Sequence, residues 1–385
     1  MIVHESSYER RFAADLGDDR SARAFWKGRV ALYALLRALG MGPGDEIVLP
    51  GFTCVVVPNA IRLVGAIPVY ADIEADGYNL DPALAAECVT PRTRALLVQH
   101  TFGIPARMHE LVELARQHRL LLIEDCAHVI GGEHEGRRLG TFGDAAFFSF
   151  QWSKPYTTGL GGMATARAGA IGARLAEVHR EAALPPRAAR LRLSAQYHAY
   201  RRLFTPRLAW PAQDVLRAAS ARGLLVGSSS VAELEGDLPI DHGWRMAAAQ
   251  ERAGERLLPT VPGRNAHARC LARLYDESIE AAGWAAAARP QNTALLRYPI
   301  QVANKEQLLR AARAAHVEMG SWFESPLHPV ALEKHIRFGY LEGHCPRAEL
   351  AARRLVNLPL HPRVSPSEAR RIAAFFLEHA RLAPT

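Results

Sequence analysis

Over its first two-thirds, apart from a stretch of roughly 167 to 235, the chain alternates short apolar runs with patterns of helical period, as a parallel sheet with crossover helices requires. Apolar residues at helical spacing predict a helix over 30–39, closed by Gly40. The Gly42-Pro43-Gly44-Asp45 turn then leads into a strand over 46–50. Further strands are predicted over 68–72, 94–99, 120–124 and 145–150, with helices over 58–64 and 108–118 between them. Ligands of such sheets gather at the carboxyl ends of the strands, and Asp125 and Lys154 both fall there.

Lys154 stands out because only four of the 47 basic residues are lysines, Lys27, Lys154, Lys305 and Lys334. It follows Ser149-Phe150-Gln151-Trp152-Ser153 and precedes Pro155-Tyr156-Thr157-Thr158-Gly159-Leu160-Gly161-Gly162. A lysine on such a turn is either an ordinary surface residue or, if partly buried, an amine of lowered pKa able to form a Schiff base with an aldehyde. The serines and glycines around it suit an aldehyde that carries a phosphate. Asp125 either caps a helix after its strand or holds a proton on a pyridine nitrogen. His128 is either a core histidine or a cofactor contact. Gly28 and Arg29 open the first helix, where unpaired N–H groups favour a phosphate, and Ser149 offers a hydroxyl near Lys154.

A chain of 385 residues exceeds one typical core, so a large and a smaller domain are expected. The proportions, 49% hydrophobic and 22% charged, are those of a globular protein. No run of about 18 uncharged apolar residues and no signal-peptide core appear, which predicts a cytoplasmic protein. Five scattered cysteines without a Cys-x-x-Cys pair predict reduced thiols and no metal.

The net charge of +8 is local: eleven arginines between 167 and 222, against Glu177, Glu181 and Asp214, account for all of it. That stretch breaks the alternation with a helix over 188–203, Pro185-Pro186, Pro206 and Pro211, and closes on Gly227-Ser228-Ser229-Ser230. The predicted organisation is therefore a large domain over 1–166, a basic helical insertion over 167–235, and an interdomain helix with a small α+β domain over 236–385. In the last part a helix over 245–282, interrupted near 259–262, precedes a strand over 296–302 and helices over 305–315 and 366–377.

The order of the motifs resembles the DegT/StrS-type sugar aminotransferases, pyridoxal-phosphate (PLP) enzymes of fold type I. The resemblance runs from about 31 to 160 and again from about 243 to the C-terminus. It rests on 38–48, Glu124-Asp125-Cys126-Ala127-His128, Gly140-Thr141-Phe142-Gly143-Asp144-Ala145, and Phe148-Ser149-Phe150 with Lys154 and Thr157-Thr158-Gly159-x-Gly161-Gly162. Trp244-Arg245-Met246, Ser325-Pro326-Leu327-His328 and Leu358-Pro359-Leu360-His361-Pro362 also match. The resemblance implies a large domain with a mostly parallel seven-stranded sheet and a smaller C-terminal α+β domain. It implies a transaminase in which Lys154 holds the cofactor as a Schiff base and then moves protons, Asp125 pairs with the pyridine nitrogen, and His128 lies beside the ring. Gly28, Arg29 and Ser149 would bind the phosphate, Cys54 would take the ring-stacking position, and His328 would meet substrate. The implied donor is an amino acid, usually glutamate, the implied acceptor a keto sugar, usually nucleotide-linked, and the implied assembly a homodimer with shared active sites.

Three positions depart from the family pattern. Lys27-Gly28-Arg29 replaces Ser-Gly-Thr, with Arg29 expected to compensate for the lost hydroxyl; Cys54 replaces an aromatic residue; and Gly243 replaces an Asn that reaches the partner's phosphate. The segment ahead of Tyr8-Glu9-Arg10-Arg11-Phe12 is also short, which together with the insertion points to an unusual acceptor. A dehydratase of the same family would carry His in place of Lys154. Two further readings remain: a noncatalytic scaffold, motivated by the altered positions, and attachment of 167–222 to an anionic membrane surface or lipid-linked acceptor at the inner membrane face. The latter rests on Tyr197, Tyr200, Leu203, Phe204, Leu208 and Trp210 interleaved with Arg201, Arg202 and Arg207. No nucleic-acid-binding motif accompanies the charge.

Overall fold

The computed structural model describes residues 5–17, 19–203, 226–227, 229–286, 288–290 and 293–383. Seven strands make the main sheet: β1 (Arg20–Phe25), β2 (Glu46–Pro50), β3 (Ile67–Ala71), β4 (Thr93–Gln99), β5 (Leu121–Asp125), β6 (Ala145–Ser149) and β7 (Gly162–Arg167). Their order is β1-β7-β6-β5-β4-β2-β3, and all are parallel except β7, which runs against both neighbours. The predicted mostly parallel seven-stranded α/β architecture is thus present. Strand alternation divides the core between the two faces: Ile47, Leu49 and Leu97 point to one side, and Val48, Leu96 and Val98 to the other. Helices cover both faces, so the central strands have no wet side and read as continuous apolar runs.

Two of the seven strands carry no such run. In β1, Ala22 and Ala24 are buried while Ser21 and Arg23 are half-buried, and β7 buries Ala164 and Ala166. Beyond β1 the Gly243-Trp244-Arg245-Met246 segment adds to the sheet edge, with Met246 N–H donating to Ala24 O at 3.1 Å and Trp26 N–H to Trp244 O at 3.0 Å. The helix Val261–Ala281 leads to the small domain, where β8 (Arg297–Gln301) pairs antiparallel with β9 (Leu355–Pro359) beneath the helices Lys305–Ala314 and Pro366–His379. Tyr275 ties that long helix to β9 by donating its O–H to Pro359 O at 3.1 Å.

The helix Ala170–Glu181, within the basic stretch, packs beside β1, and its His179 ring meets Phe25 edge-on with centroids 5.2 Å apart. The next helix, Arg187–Leu203, presents Leu193, Gln196, Tyr197 and Tyr200 inward at helical spacing and leaves Arg187, Arg190, Arg192, Arg201 and Arg202 exposed. Phe204, Arg207, Leu208 and Trp210 lie outside the described residues. Among the described residues, no helix is long and apolar enough to cross a membrane.

Candidate active site

The turn after β6 is folded back on itself by backbone bonds, Phe150 N–H to Gly161 O at 2.9 Å and Thr158 N–H to Phe150 O at 3.0 Å. Thr157 locks it further by donating its hydroxyl to Phe150 O and accepting from Gly159 N–H at 2.9 Å. Gly161 is required: its φ is +143° and a Cβ there would lie 2.5 Å from Thr158 Oγ1. The loop presents Lys154, whose ammonium lies 4.9 Å from the centre of the Trp322 ring. Burial pushes the Lys154 pKa down to about 8, with Arg297 and Arg29 acting in the same direction and Cys54 and Asp125 opposing. Lys154 is therefore no ordinary surface lysine, and its electrostatic neighbours include Asp125, Cys54 and Arg29, which the motifs group with it.

Asp125 ends β5 and is buried. Burial raises its carboxyl to about 6, against the pull of the Ala127 N–H, Lys154 and His100. Its Oδ1 accepts from Ala127 N–H at 2.9 Å, so it does cap the turn beyond its strand; a carboxylate has a second oxygen for a ligand. The strand end is pinned by Glu124, which accepts from Gly140 N–H at 2.8 Å and Gly143 N–H at 2.7 Å and pairs with His100 at 3.1 Å. Glu124, His100 and Cys126 have metal-ligand chemistry, but these bonds already use the carboxylate of Glu124.

His128 is buried between Phe102 and Trp322, stacked at centroid distances of 6.0 and 5.6 Å. Its Nδ1 accepts from Phe102 N–H at 3.1 Å, which places the proton of the neutral ring on Nε2. Burial, aided by Lys154, Arg297 and His328, holds its pKa well below the usual range, so it stays neutral. His328 is brought in by a two-residue parallel pairing of Leu327–His328 with Thr53–Cys54, across which it faces Cys54. Burial lowers His328 to about 4.

Gly28 begins the helix Gly28–Ala38, and a Cβ on it would lie 2.8 Å from Ser149 Cβ; a Cβ on Gly162 would lie 2.5 Å from Gly28 N. Two glycines thus press the helix start onto the ends of β6 and β7, beside Ser149. The Arg29 side chain differs from expectation. Its Nη1 lies 2.6 Å from Glu233 Oε1 and donates to Ser229 Oγ at 3.1 Å, so the guanidinium is engaged by acceptors from the last part of the 167–235 stretch and is not left to replace the missing hydroxyl. Lys27 is held likewise, 2.7 Å from Asp241 and 3.7 Å from Glu233. The two cations that replace Ser and Thr are neutralised within the protein, which leaves the backbone N–H groups of the helix start for an anion.

Three residues of this region are not marked by the sequence motifs. Trp322 supplies an aromatic face beside Lys154 and His128, where Cys54 supplies none. Arg297 stacks over Trp322 at 4.5 Å, and its Nε is buried without a partner. Glu233 joins the helix start to residues two hundred positions away. An arginine inside the apolar run Leu295-Leu296-Arg297-Tyr298 was a usable signal for Arg297; nothing local marks the other two. Lys154 and His128 open onto a cavity of about 680 Å³, whose wall also includes Arg297, Trp152, Tyr197 and Tyr200.

The chain is similar to several known proteins. The GDP-perosamine synthase of Caulobacter vibrioides is 40% identical over 158 residues, 41% of this chain and 42% of that protein. The L-glutamine:2-deoxy-scyllo-inosose aminotransferase of Streptomyces kanamyceticus is 43% identical over 161 residues, 41% of this chain and 38% of that protein, so the chain matches about two-fifths of the length of these relatives. A longer match, 29% identical over 351 residues, covers 90% of the chain and 80% of the UDP-N-acetyl-3-dehydro-alpha-D-glucosamine 3-aminotransferase of Acidithiobacillus ferrooxidans. Among solved structures, S. venezuelae DesV in complex with a ketimine intermediate superposes with a TM-score of 0.74 at 26% identity, over 96% of this chain and 87% of that one. The profile of the DegT/DnrJ/EryC1/StrS aminotransferase family matches residues 3–197 and 216–376, so that both the sheet with its lysine loop and the small domain lie within it: the chain belongs to this family, which has the fold of PLP-dependent aminotransferases.

Proposed function

We propose that the chain is a PLP-dependent aminotransferase that moves an amino group from an amino acid, with glutamate as the expected donor, to a keto sugar or related keto acceptor. The observation that carries the reading is the lysine of depressed pKa, Lys154, set beside a buried carboxylate, Asp125, at neighbouring strand ends. The residues fit the cofactor: the glycine-lined helix start at Gly28 and the hydroxyl of Ser149 suit its phosphate, and Asp125 suits its ring nitrogen. Pyridoxal phosphate supplies an electron-accepting ring and an aldehyde that takes up and releases the amino group.

The protein's own residues would do the rest. Lys154 Nζ, with a pKa of about 8, is neutral often enough near neutrality to act as nucleophile and to take a proton from the donor's Cα. Asp125, ionised above about pH 6, would hold a proton on the ring nitrogen. Neutral His128 would offer its Nε2–H beside the ring, Trp322 would provide the aromatic face that Cys54 lacks, and His328 would meet the substrate from the small domain. Residues 1–166 would form the large cofactor-binding domain, 167–235 the basic helical insertion and 236–385 the interdomain helix and small C-terminal domain, in a homodimer. Tyr197 and Tyr200 line the cavity, an orientation that favours a role near the substrate over one at a membrane surface.

The test is the absorbance of the protein supplied with pyridoxal phosphate, read before and after glutamate. A Schiff-base band that glutamate converts to the pyridoxamine form supports the reading, and a protein that shows no band returns the noncatalytic scaffold. The pH dependence of cofactor capture gives a second check. Capture needs the neutral amine, so its rate should rise through pH 8 and level off above it, whereas an ordinary lysine would go on gaining to about 10.4. Stopped-flow mixing of apoprotein with cofactor across pH 6 to about 10.4 separates the two behaviours.

A further inference from the structure

We propose that Lys305, which is no part of the cavity wall, is a positioning residue for the reaction: its ammonium holds the strap of residues 321–325 and so keeps Trp322 against Lys154 and His128. The chemical consequence rests on the aminotransferase reading, whereas the placement of Trp322 does not. Lys305 opens the helix Lys305–Ala314 of the small domain. Its Nζ donates to Phe323 O at 3.1 Å, to Ser321 O at 3.4 Å and to Ala352 O at 2.6 Å, which uses all three protons of an ammonium. Two of these acceptors flank Trp322 in sequence.

The backbone of the strap is anchored at its two ends. Before it, Gly320 and Asn357 of β9 exchange backbone bonds of 2.8 and 2.9 Å. After it, Pro326 O accepts from Thr53 N–H at 2.9 Å, and Leu327–His328 pairs with Thr53–Cys54. Between these anchors, residues 321–325 make no backbone–backbone bond among the described residues. Glu324 N–H goes to His328 Nδ1 at 3.3 Å, and the Ser321 and Ser325 hydroxyls go to Glu324 Oε1 and Val330 O, both at 2.6 Å. The carbonyls of Ser321 and Phe323 are thus left to Lys305. Phe323 is buried against Phe52, but the Trp322 ring is only half-buried, so apolar packing alone does not fix it. The third acceptor, Ala352 O, lies in the last turn of the helix Pro346–Arg354, where carbonyls lack intrahelical partners and the helix dipole favours a cation. One ammonium therefore ties the strap to a helix end.

Charge strengthens the tie. Burial lowers the Lys305 pKa to about 8, with Glu324 and Glu306 opposing, so the group is mainly cationic at neutral pH. A hydrogen bond from a charged donor is stronger than one from a neutral donor. Without the ammonium the Ser321 and Phe323 carbonyls lose their donor, and the segment that carries Trp322 is held at its ends only. The Trp322 ring lies 4.9 Å from Lys154 Nζ, 5.6 Å from the His128 ring and 4.5 Å from the Arg297 guanidinium. Its displacement would withdraw the aromatic face from the cofactor and from the lysine together, and misplacements of about 1 Å suffice to slow a reaction markedly.

The experiment uses the full chain and two readouts. The first is the emission of Trp322 without cofactor, obtained as the difference between each protein and its Trp322→Phe counterpart. Lys305→Met, which keeps the stem and removes the ammonium, should move that emission to longer wavelength. The second is the dissociation constant of pyridoxal phosphate, titrated by absorbance. Lys305→Met and Trp322→Ala should each weaken binding by ~10-fold, and Lys305→Met should add nothing in the Trp322→Ala protein, because a residue that acts through Trp322 has no effect once that ring is gone. A general loss of structure would instead multiply the two effects. Lys334→Met, at an exposed lysine paired with Glu235 at 3.1 Å, should leave both readouts unchanged. Melting curves check the fold, and Lys305→Gln, which keeps donors but no charge, takes the place of Lys305→Met should that variant not fold. Unchanged Trp322 emission, wild-type cofactor affinity in the Lys305 variant, or losses that multiply in the double variant would each overturn the proposal. Wild type that takes up no cofactor, or is not converted by glutamate, would remove the aminotransferase reading, and the emission would then decide the role of Lys305 by itself.

Discussion

Lys154→Ala protein will show no Schiff-base absorbance with pyridoxal phosphate, and its transamination will fall by about 10²–10⁴-fold, the range lost with a positioned proton-transfer group. Lys154→Arg should be no better, because a guanidinium keeps the charge without a usable lone pair. The same change should not harm the fold. The pKa of about 8 reports that burial disfavours the ammonium form, so the native state pays for holding it at neutral pH. For a lysine of lowered pKa the unfolded chain binds more protons between about pH 8 and 10.4, and wild-type stability should rise through that window. Thermal unfolding at pH 7 should therefore find Lys154→Ala at least as stable as wild type, with the gap closing as pH rises. A clear loss of stability, with the absorbance band intact, would show that Lys154 is a structural residue and that another amine holds the cofactor.

The parts of the fold that were legible in the sequence are those whose burial is two-sided. Strands β2, β4, β5 and β6 are covered on both faces and announced themselves as apolar runs, and the interrupted helix over 245–282 resolves into Ala248–Leu257 and Val261–Ala281. Strands β1 and β7 did not, because their buried positions are largely alanine and glycine, small enough for the Gly28 helix to approach and indistinct from loop. In the candidate site, Asp125 and Lys154 were visible because each ends a readable strand and carries its motif with it. The ring-side aromatic and the fate of Arg29 were not, because both depend on contacts between distant segments. Trp322 reaches the lysine from the small domain, and Glu233 reaches Arg29 across 204 positions of sequence. The amphipathic helix Arg187–Leu203 was readable as such, but whether its tyrosines faced a membrane or the protein depended on Trp152, a residue of another loop.

Replacing Glu233 should be among the most destabilising single changes in the molecule. Its carboxylate lies between Arg29 and Lys27, and it also accepts from Ser230 N–H at 2.7 Å, so it fixes both the helix start and the turn that approaches it. Burial alone would raise its pKa, but the Arg29 and Lys27 charges and the Ser230 bond outweigh that and hold it below the ordinary carboxylate value. Glu233→Gln keeps the shape and leaves Arg29 buried without a counter-ion, which should cost about 3–5 kcal/mol of unfolding free energy. Lys27 retains Asp241 and should contribute little to that loss. Arg29→Met combined with Glu233→Gln should recover most of the stability, because the penalty arises from the orphaned charge and an apolar substitute removes it. The sign of the pH effect follows from the lowered pKa: the stabilisation is present above about pH 4.5 and is lost as pH falls through the native value, so wild type and Glu233→Gln should converge on acidification. Denaturant titrations of the three proteins at neutral and acid pH test this. A Glu233→Gln protein as stable as wild type would mean that the two cations find water or other acceptors, and that the helix start does not need this pairing to hold its place beside Ser149.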